Sequence, residues 1–219
     1  MIGKMFDDID KRYDFLNHLF SLYLDYFWRR MMLKKLMPLK GTVVLDLATG
    51  TGDSAVDLIK TGVKVIGLDL SFNMLLRARS KIHNPLFLTV SGSAYSMPFK
   101  DNSFDGVTCA FGIRNMHETA AALKEIFRVL RKGGKVVFLE FSMPETIIRI
   151  PYRFYLRYVI PHVAGIISKK EAYTYLGKSI QGFHRPDDFC RLILESGFTS
   201  CEKFPLSMGL VFIHKAVKH

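Results

Sequence analysis

Residues 42–53 run Thr-Val-Val-Leu-Asp-Leu-Ala-Thr-Gly-Thr-Gly-Asp, and this stretch decides the fold class. A short β-branched and leucine-rich run ends in a Gly-x-Gly loop, and a helical stretch at 53–61 follows. Residues 63–70 (VKVIGLDL) repeat the plan, with a helix expected over 72–82. Residues 86–91, 104–110 (FDGVTCA) and 135–141 (KVVFLEF) supply three more strands, and a helix is expected over 118–131. Strands alternating with helices at this interval predict a parallel, doubly wound sheet. The runs are apolar throughout rather than alternating, as strands covered by helices on both faces should be. Residues 199–205 and 209–217 look like an antiparallel hairpin that finishes the sheet. The expected fold is α/β, a mostly parallel, Rossmann-like sheet of seven strands.

In the helix at 118–131, Glu118 opens the element and Leu123, Ile126, Phe127 and Leu130 form an apolar stripe. Gly133-Gly134 should stop it. Two segments fall outside the alternation. Residues 12–37 read as helical, with Leu16, Leu19, Phe20, Tyr23, Leu24, Phe27, Met31 and Leu36 on one side. Residues 145–184 sit between the fifth strand and a helix starting near Pro186. The chain is therefore expected to form one domain over 1–219. Its helical cap segments lie at 1–40 and, over the sheet edge, at 145–184.

The 219 residues, 49% of them hydrophobic, can bury a sizeable core without disulfides or structural metal. Cys109, Cys190 and Cys201 lack any Cys-x-x-Cys spacing, so no metal site is expected, and their number fits a reducing cytosol. Lys plus Arg number 31 and Asp plus Glu 20, a net charge of +11 that favours anionic partners. Residues 1–14 are charged and lack the apolar core of a signal peptide. No uncharged apolar run approaches the ~18 residues of a membrane span. The expected location is cytoplasmic, with peripheral contact at the inner face of the membrane as the variant.

The loop after the first strand carries the first chemical signal. It stands where an open α/β sheet binds ligands. Gly50 and Gly52 permit close backbone approach, and the helix after them offers N–H groups to an anion. The spacing is not Gly-x-Gly-x-x-Gly, so the dinucleotide fingerprint is absent. Asp46 and Asp53 flank the loop and would repel a diphosphate. They suit a cationic ligand such as S-adenosylmethionine, whose ammonium and sulfonium face acids while its carboxylate seeks the helix N-terminus. Asp69 ends the second strand, 17 residues after Gly52, and can accept both hydroxyls of a ribose. Ser93 and Ala94, after the third strand, stand where an adenine edge would meet a hydroxyl and backbone groups. Phe99, Ser103 and Phe104 are expected to pack the next turn, with Asp105 in a turn role or, second, a ligand contact.

Asp46-x-Ala48-x-Gly50-x-Gly52, then Asp69, then MPFKDNSFD at 97–105, resembles the class I S-adenosylmethionine-dependent methyltransferases. More local strings narrow the match: YDFLNHLFSLYLDYFWRR at 13–30, FGIRNM at 111–116, LEFSMP at 139–144, YTYLGKSI at 173–180 and GLVFIHKAV at 209–217. Together they resemble the quinone-biosynthesis C-methyltransferases that methylate demethylmenaquinone or the ubiquinone precursor ring. The similarity runs nearly end to end. It implies cofactor contacts at Thr51, Asp69, Ser93 and Ala94, beside Asp46 and the loop glycines Gly50 and Gly52. Departures occur at Ser93 (often Asn), at 48–49 (often a Gly), at Ala110 (Ser in some members) and at His184 (usually Pro).

The resemblance implies methyl transfer to a ring carbon of a reduced quinone. Such a carbon becomes nucleophilic when a neighbouring hydroxyl loses its proton, so a base or an oxyanion stabiliser is needed. Arg114, after the fourth strand, can stabilise a phenolate or polarise a water, and its structural alternative is a salt bridge to a core acid such as Glu140. Asn115 could orient the quinol, and His117 is the better direct base. Asn/Asp-Pro-Pro-Tyr does not follow the fourth strand, where Phe111-Gly112-Ile113-Arg114 stands, which weakens a base N-methyltransferase. Cys109 sits inside an apparent strand as core. Arg149, Arg153 and Arg157 recur every four positions among Tyr152, Phe154, Tyr155 and Tyr158. That pattern suits a helix at a lipid interface, with Tyr23, Phe27, Trp28, Arg29 and Arg30 completing a lipid-facing mouth. The partner expected is a prenylated quinol at an anionic membrane; nucleic acid ranks lower, and a homo-oligomer stays open. Two alternatives stand beside this: a methyltransferase acting on RNA or another small molecule, and a cofactor-binding module without turnover.

Overall fold

A computed structural model describes residues 13–167 and 170–219. Most of the stretch read as lacking a signal peptide, and the start of the N-terminal segment, lie outside the described residues.

Seven strands form one sheet: β1 (Val43–Leu47), β2 (Lys64–Asp69), β3 (Phe87–Ser91), β4 (Phe104–Ala110), β5 (Leu130–Phe141), β6 (Ser200–Leu206) and β7 (Val211–Val217). Their order is β3-β2-β1-β4-β5-β7-β6. Strands β3 to β5 pair parallel with their neighbours, and β7 runs antiparallel to both β5 and β6. The crossovers are α3 (Asp53–Ile59), α4 (Phe72–Lys81), α5 (Thr119–Val129) and α9 (Pro186–Glu195). Two helices, α1 (Tyr13–Phe20) and α2 (Leu24–Leu36), precede the sheet, and α6 (Arg149–Phe154), α7 (Ile160–Ile167) and α8 (Lys170–Gly182) form the insert. The chain is therefore the expected α/β, Rossmann-like fold.

The apolar strand runs are explained by burial on both faces. Leu45, Val107 and Phe138 pack with Leu123 and Ile126 of α5 and Phe189 of α9. Val44, Val65 and Val137 face the other way, against Leu58 of α3 and Trp28, Met32 and Leu36 of α2. Each fully buried large side chain contributes about 1.5–3 kcal/mol. A third cluster joins Leu16 of α1 to the insert residues Leu156, Ile160, Tyr173 and Ile180, so the N-terminal helix and the insert pack on one another.

Several details differ from the sequence expectation. Helix α5 ends at Val129 rather than near the glycines, and Leu130 begins β5 with extended backbone (φ −72°, ψ 140°). Leu130 is fully buried and pairs with Phe104, while the Asn102 and Ser103 amides donate to the Arg128 and Val129 carbonyls. An apolar residue at helical spacing was the first core residue of a strand. The helix expected over 12–37 is broken at Leu22 and Tyr23, both at positive φ (53° and 60°). The break resets the phase: α2 buries Asp25, Trp28, Met32 and Leu36, and leaves Tyr23, Leu24 and Phe27 exposed. In the insert a π-helical turn at Tyr155–Val159 interrupts the four-residue repeat of the arginines, yet Arg149, Arg153 and Arg157 are all exposed. Cys190 and Cys201 are joined in a disulfide, which the sequence reading did not anticipate. The packing of α9 against β6 brings their Cα atoms to 5.6 Å. Cys109 is a buried free thiol, and burial pushes it well above its ordinary value.

Candidate active site

A cavity of about 720 Å³ opens at the C-terminal tips of β1 to β4, under α1, α2 and the insert. Asp46, Gly50, Thr51, Asp69, Ser93 and Ala94 line it, and so do Arg114, Asn115 and His117. Gly52 does not. It is left-handed (φ 86°), and a Cβ there would lie 2.7 Å from Ile82 Cδ1. Its role is to turn the loop tightly against the end of α4.

The loop is held from two sides. The Gly50 amide donates to Asp69 Oδ2 (2.9 Å) and the Ser71 amide to Asp69 Oδ1 (2.9 Å). The carboxylate at the tip of β2 is thereby held at the edge of the cavity. Asp46 is buried behind the loop, where Thr49 Oγ1 (2.7 Å) and Thr108 Oγ1 (2.8 Å) donate to it. Burial pushes its carboxyl up to about 6, against the pull of those two hydroxyls and of Arg29. Asp46 thus ties the tip of β1 to β4. Ala48 (φ 54°) and Phe111 (φ 58°) both adopt left-handed backbone where the two strand ends turn away. Ser93 Oγ accepts the Tyr95 amide at 3.2 Å. Asp105 accepts the Val43 amide (2.8 Å) at the opposite end of β1, so it is no ligand contact. Phe99 and Phe104 stack edge to face as expected.

The N-terminal helices close one side of the loop. Thr51 Oγ1 donates to Asp14 Oδ1 (2.8 Å), and Arg29 Nη1 donates to Ser54 Oγ (2.6 Å). Asp53 pairs with Lys81. Its carboxyl lies below the ordinary value because Arg29, Lys81 and His18 together outweigh burial. His18, Asp25 and Asp53 bring three potential ligand atoms within 4.8 Å, but Arg29 and Lys81 already supply the counter-charge there.

On the other side, Arg114 sits in a 3₁₀ turn (Ile113–Asn115) after β4. It makes the salt bridge weighed as its structural alternative: Nη1 lies 2.7 Å from Glu140 Oε1, with both side chains buried. Nη1 also donates to the Phe111 carbonyl, and Nε donates to Ser179 Oγ (3.3 Å). Burial raises the Glu140 carboxyl, and Arg114 and the Phe141 amide oppose it. Asn115 Oδ1 accepts from Tyr175 Oη at 3.2 Å. His117 is exposed at the rim. The sequence reading missed that Tyr152, Tyr155, Tyr173 and Tyr175 of the insert all line the cavity. It had placed Tyr152 and Tyr155 with Phe154 and Tyr158 at a lipid face; only the latter two are exposed. Burial raises the Tyr152, Tyr155 and Tyr175 phenols above their ordinary value, which keeps them neutral donors. The string YTYLGKSI was a signal for this wall, though it carried no assigned role.

The model of the ubiE/COQ5 methyltransferase family matches residues 1–218. The chain belongs to this family. The "Demethylmenaquinone methyltransferase" of Chlorobaculum tepidum is 40% identical over 224 residues, covering 99% of this chain and 92% of that protein. The "Ubiquinone/menaquinone biosynthesis C-methyltransferase UbiE" of Geotalea uraniireducens is 37% identical, covering 99% and 96%. Among solved structures, phosphoethanolamine N-methyltransferase 2 of Haemonchus contortus, in complex with S-adenosyl-L-methionine, superposes with a TM-score of 0.66 at 18% identity. That match covers 87% of this chain and 52% of the other, and it supports the fold. Membership in the ubiE/COQ5 family makes the chain a methyltransferase, and S-adenosylmethionine is its methyl donor.

The residues present fit that donor. The cavity offers a carboxylate held at the tip of β2, a glycine loop open to approach (no atom within 4 Å of a Cβ built at Gly50), and the acids Asp46 and Asp53 beside it.

Proposed function

We propose that this ubiE/COQ5 family member transfers a methyl group to a ring carbon of demethylmenaquinol or of the related ubiquinone precursor. One observation carries the proposal. A single cavity contains both the Asp69–glycine-loop site and the Arg114–Asn115–tyrosine wall, so a donor and a flat aromatic acceptor can share it. The relatives' names supply the acceptor class.

S-adenosylmethionine, when bound, supplies an electrophilic methyl on a cationic sulfur. Asp69 accepts the ribose hydroxyls, Ser93 and Ala94 meet the adenine edge, and Gly50 and Thr51 line the path between. Asp46 acts from behind, by holding Thr49 and Thr108. On the acceptor side, Arg114 stabilises the oxygen that becomes negative as the quinol loses its proton. Among its described contacts Nη2 is the nitrogen left unused, and a fixed guanidinium needs no reorganisation during reaction. Asn115, held by Tyr175, orients the ring; His117 at the rim accepts the hydroxyl proton, the ring carbon takes the methyl as the sulfur–methyl bond breaks, and that carbon then sheds its own hydrogen as a proton while the oxygen is reprotonated. The insert tyrosines and Leu156, Ile160 and Ile180 exclude water from the ring.

The prenyl tail leaves toward lipid. The insert's outer face exposes Ile147 (91%), Ile150 (73%) and Phe154 (59%) beside the three exposed arginines, a pattern suited to an anionic interface. No described helix is long and apolar enough to cross a membrane. The protein works as one domain capped by its N-terminal helices and insert, in the cytoplasm at the membrane's inner face.

The test is a labelled-methyl assay in membrane extract with a parallel RNA arm. Label in the prenylated quinone fraction, with a mass gain of one methylene, is expected. Label in RNA alone would overturn the acceptor assignment. Sedimentation with anionic vesicles tests the membrane face, and Ile150→Asp/Phe154→Asp should abolish it.

A further inference from the structure

We infer that Arg29, on helix α2, binds the carboxylate of the donor's amino-acid end, so the N-terminal segment completes the donor site. The inference rests on the cavity being the S-adenosylmethionine site.

The sheet order fixes where that end must lie. Adenine and ribose groups fall at the tips of β3 and β2, and β1 and β4 come next in order. The amino-acid end should therefore reach the space between the tips of β1 and β4. Arg29 spans this gap. Its Nη1 donates to Ser54 Oγ (2.6 Å) beyond the β1 loop, and its guanidinium lies 5.4 Å from the centre of the Phe111 ring just after β4.

Helix α3 cannot take the carboxylate, as the sequence suggested. It has seven residues, and its first is Asp53, an anion where an anion would dock. A cation is required. Among the described residues, the cavity wall holds two arginines, Arg29 and Arg114, and no lysine. Arg114 is paired with the buried Glu140 at 2.7 Å, and its remaining nitrogen is the one assigned above to the acceptor's oxygen. Arg29 is less fully engaged. Its ion contacts to Asp25 and Asp53 are both 3.7 Å, beyond hydrogen-bond reach, and its buried Nε has no hydrogen-bond partner in the described structure.

The neighbouring acids have closer partners than Arg29. Asp25 accepts from His18 (2.7 Å) and Ser21 (2.8 Å), and Asp53 accepts from Lys81. These acids complement the ammonium of the same zwitterion. A half-buried arginine whose buried Nε lacks a hydrogen-bond partner is suited to a carboxylate.

The experiment compares two ligands by calorimetry: S-adenosylhomocysteine and its decarboxylated analogue, which keeps the amine and sulfur. Wild-type protein should bind the first at least about tenfold more tightly, the scale of a charge-assisted hydrogen bond. Arg29→Ala and Arg29→Gln should erase this difference by weakening the homocysteine form alone. Arg29→Lys should restore part of it. Equal affinities for the two ligands in wild-type protein overturn the inference without any variant. So does an equal loss for both ligands in Arg29→Gln, because that is the signature of a loosened helix α2. If wild-type protein bound neither ligand, the donor-site assignment itself would fail.

Discussion

Replacing Arg114 with alanine leaves Glu140 as a carboxylate in the core with its cation gone. Glu140 is 1% exposed and Arg114 7%, so solvent screens little of the interaction. Removing one partner of a buried pair costs about 3–5 kcal/mol, because the remaining charge is uncompensated. For a chain of this length each kcal/mol moves Tm by about 2–4 °C, which gives a fall of roughly 6–20 °C. The pH dependence has a definite sign. Burial already raises the Glu140 carboxyl, with Arg114 opposing. The folded state therefore holds a proton that the unfolded state has released, and stability falls as pH rises between the ordinary value and the raised one. Without Arg114 that window extends further upward, so the variant loses more stability toward neutral pH. The double variant Arg114→Ala/Glu140→Gln removes the stranded charge and should recover part of the loss. Urea melts of wild type, both single variants and the double variant at several pH values measure all of this. A loss below about 1 kcal/mol in Arg114→Ala, with no added pH slope, would refute the buried-pair reasoning.

Asp69→Ala should weaken S-adenosylhomocysteine binding by about 1–3 kcal/mol in calorimetry, the worth of hydrogen bonds to a charged acceptor. Asp46, pushed up to about 6 from 3.8, should make wild-type stability fall by about 3 kcal/mol as pH rises through that window. Urea melts of Asp46→Asn should lack that slope. Gly52→Ala should destabilise more than Gly50→Ala in calorimetric melts. Both positions are left-handed, at about 1–2 kcal/mol of backbone cost, but only at Gly52 does the new methyl strike Ile82.

The parts legible in the sequence were those set by local pattern. Apolar runs ending in Gly-x-Gly or Asp marked β1 and β2, and strand-end position alone placed Asp69, Ser93 and Ala94 at one cavity. What the sequence hid depends on tertiary register. Leu130 satisfies a helical stripe and a buried strand equally well, and only pairing with Phe104 chooses. The break at Leu22 and Tyr23 has no glycine or proline to announce it, so the phase of α2, and with it Trp28 and Arg29, was misplaced. Along the first insert helix the π turn at Tyr155–Val159 breaks the regular repeat, so spacing alone does not show that Tyr152 and Tyr155 line the cavity while Phe154 and Tyr158 are exposed. The Cys190–Cys201 bridge joins a helix to a strand that meet only once the sheet is closed.

The most direct measurement is a crystal structure with S-adenosylhomocysteine bound. The ribose hydroxyls should sit on Asp69, the adenine beside Ser93 and Ala94, and the sulfur should face Arg114 and Asn115. A cavity left empty at saturating ligand, or one holding a pyrophosphate across the Gly50–Gly52 loop, would contradict the assignment.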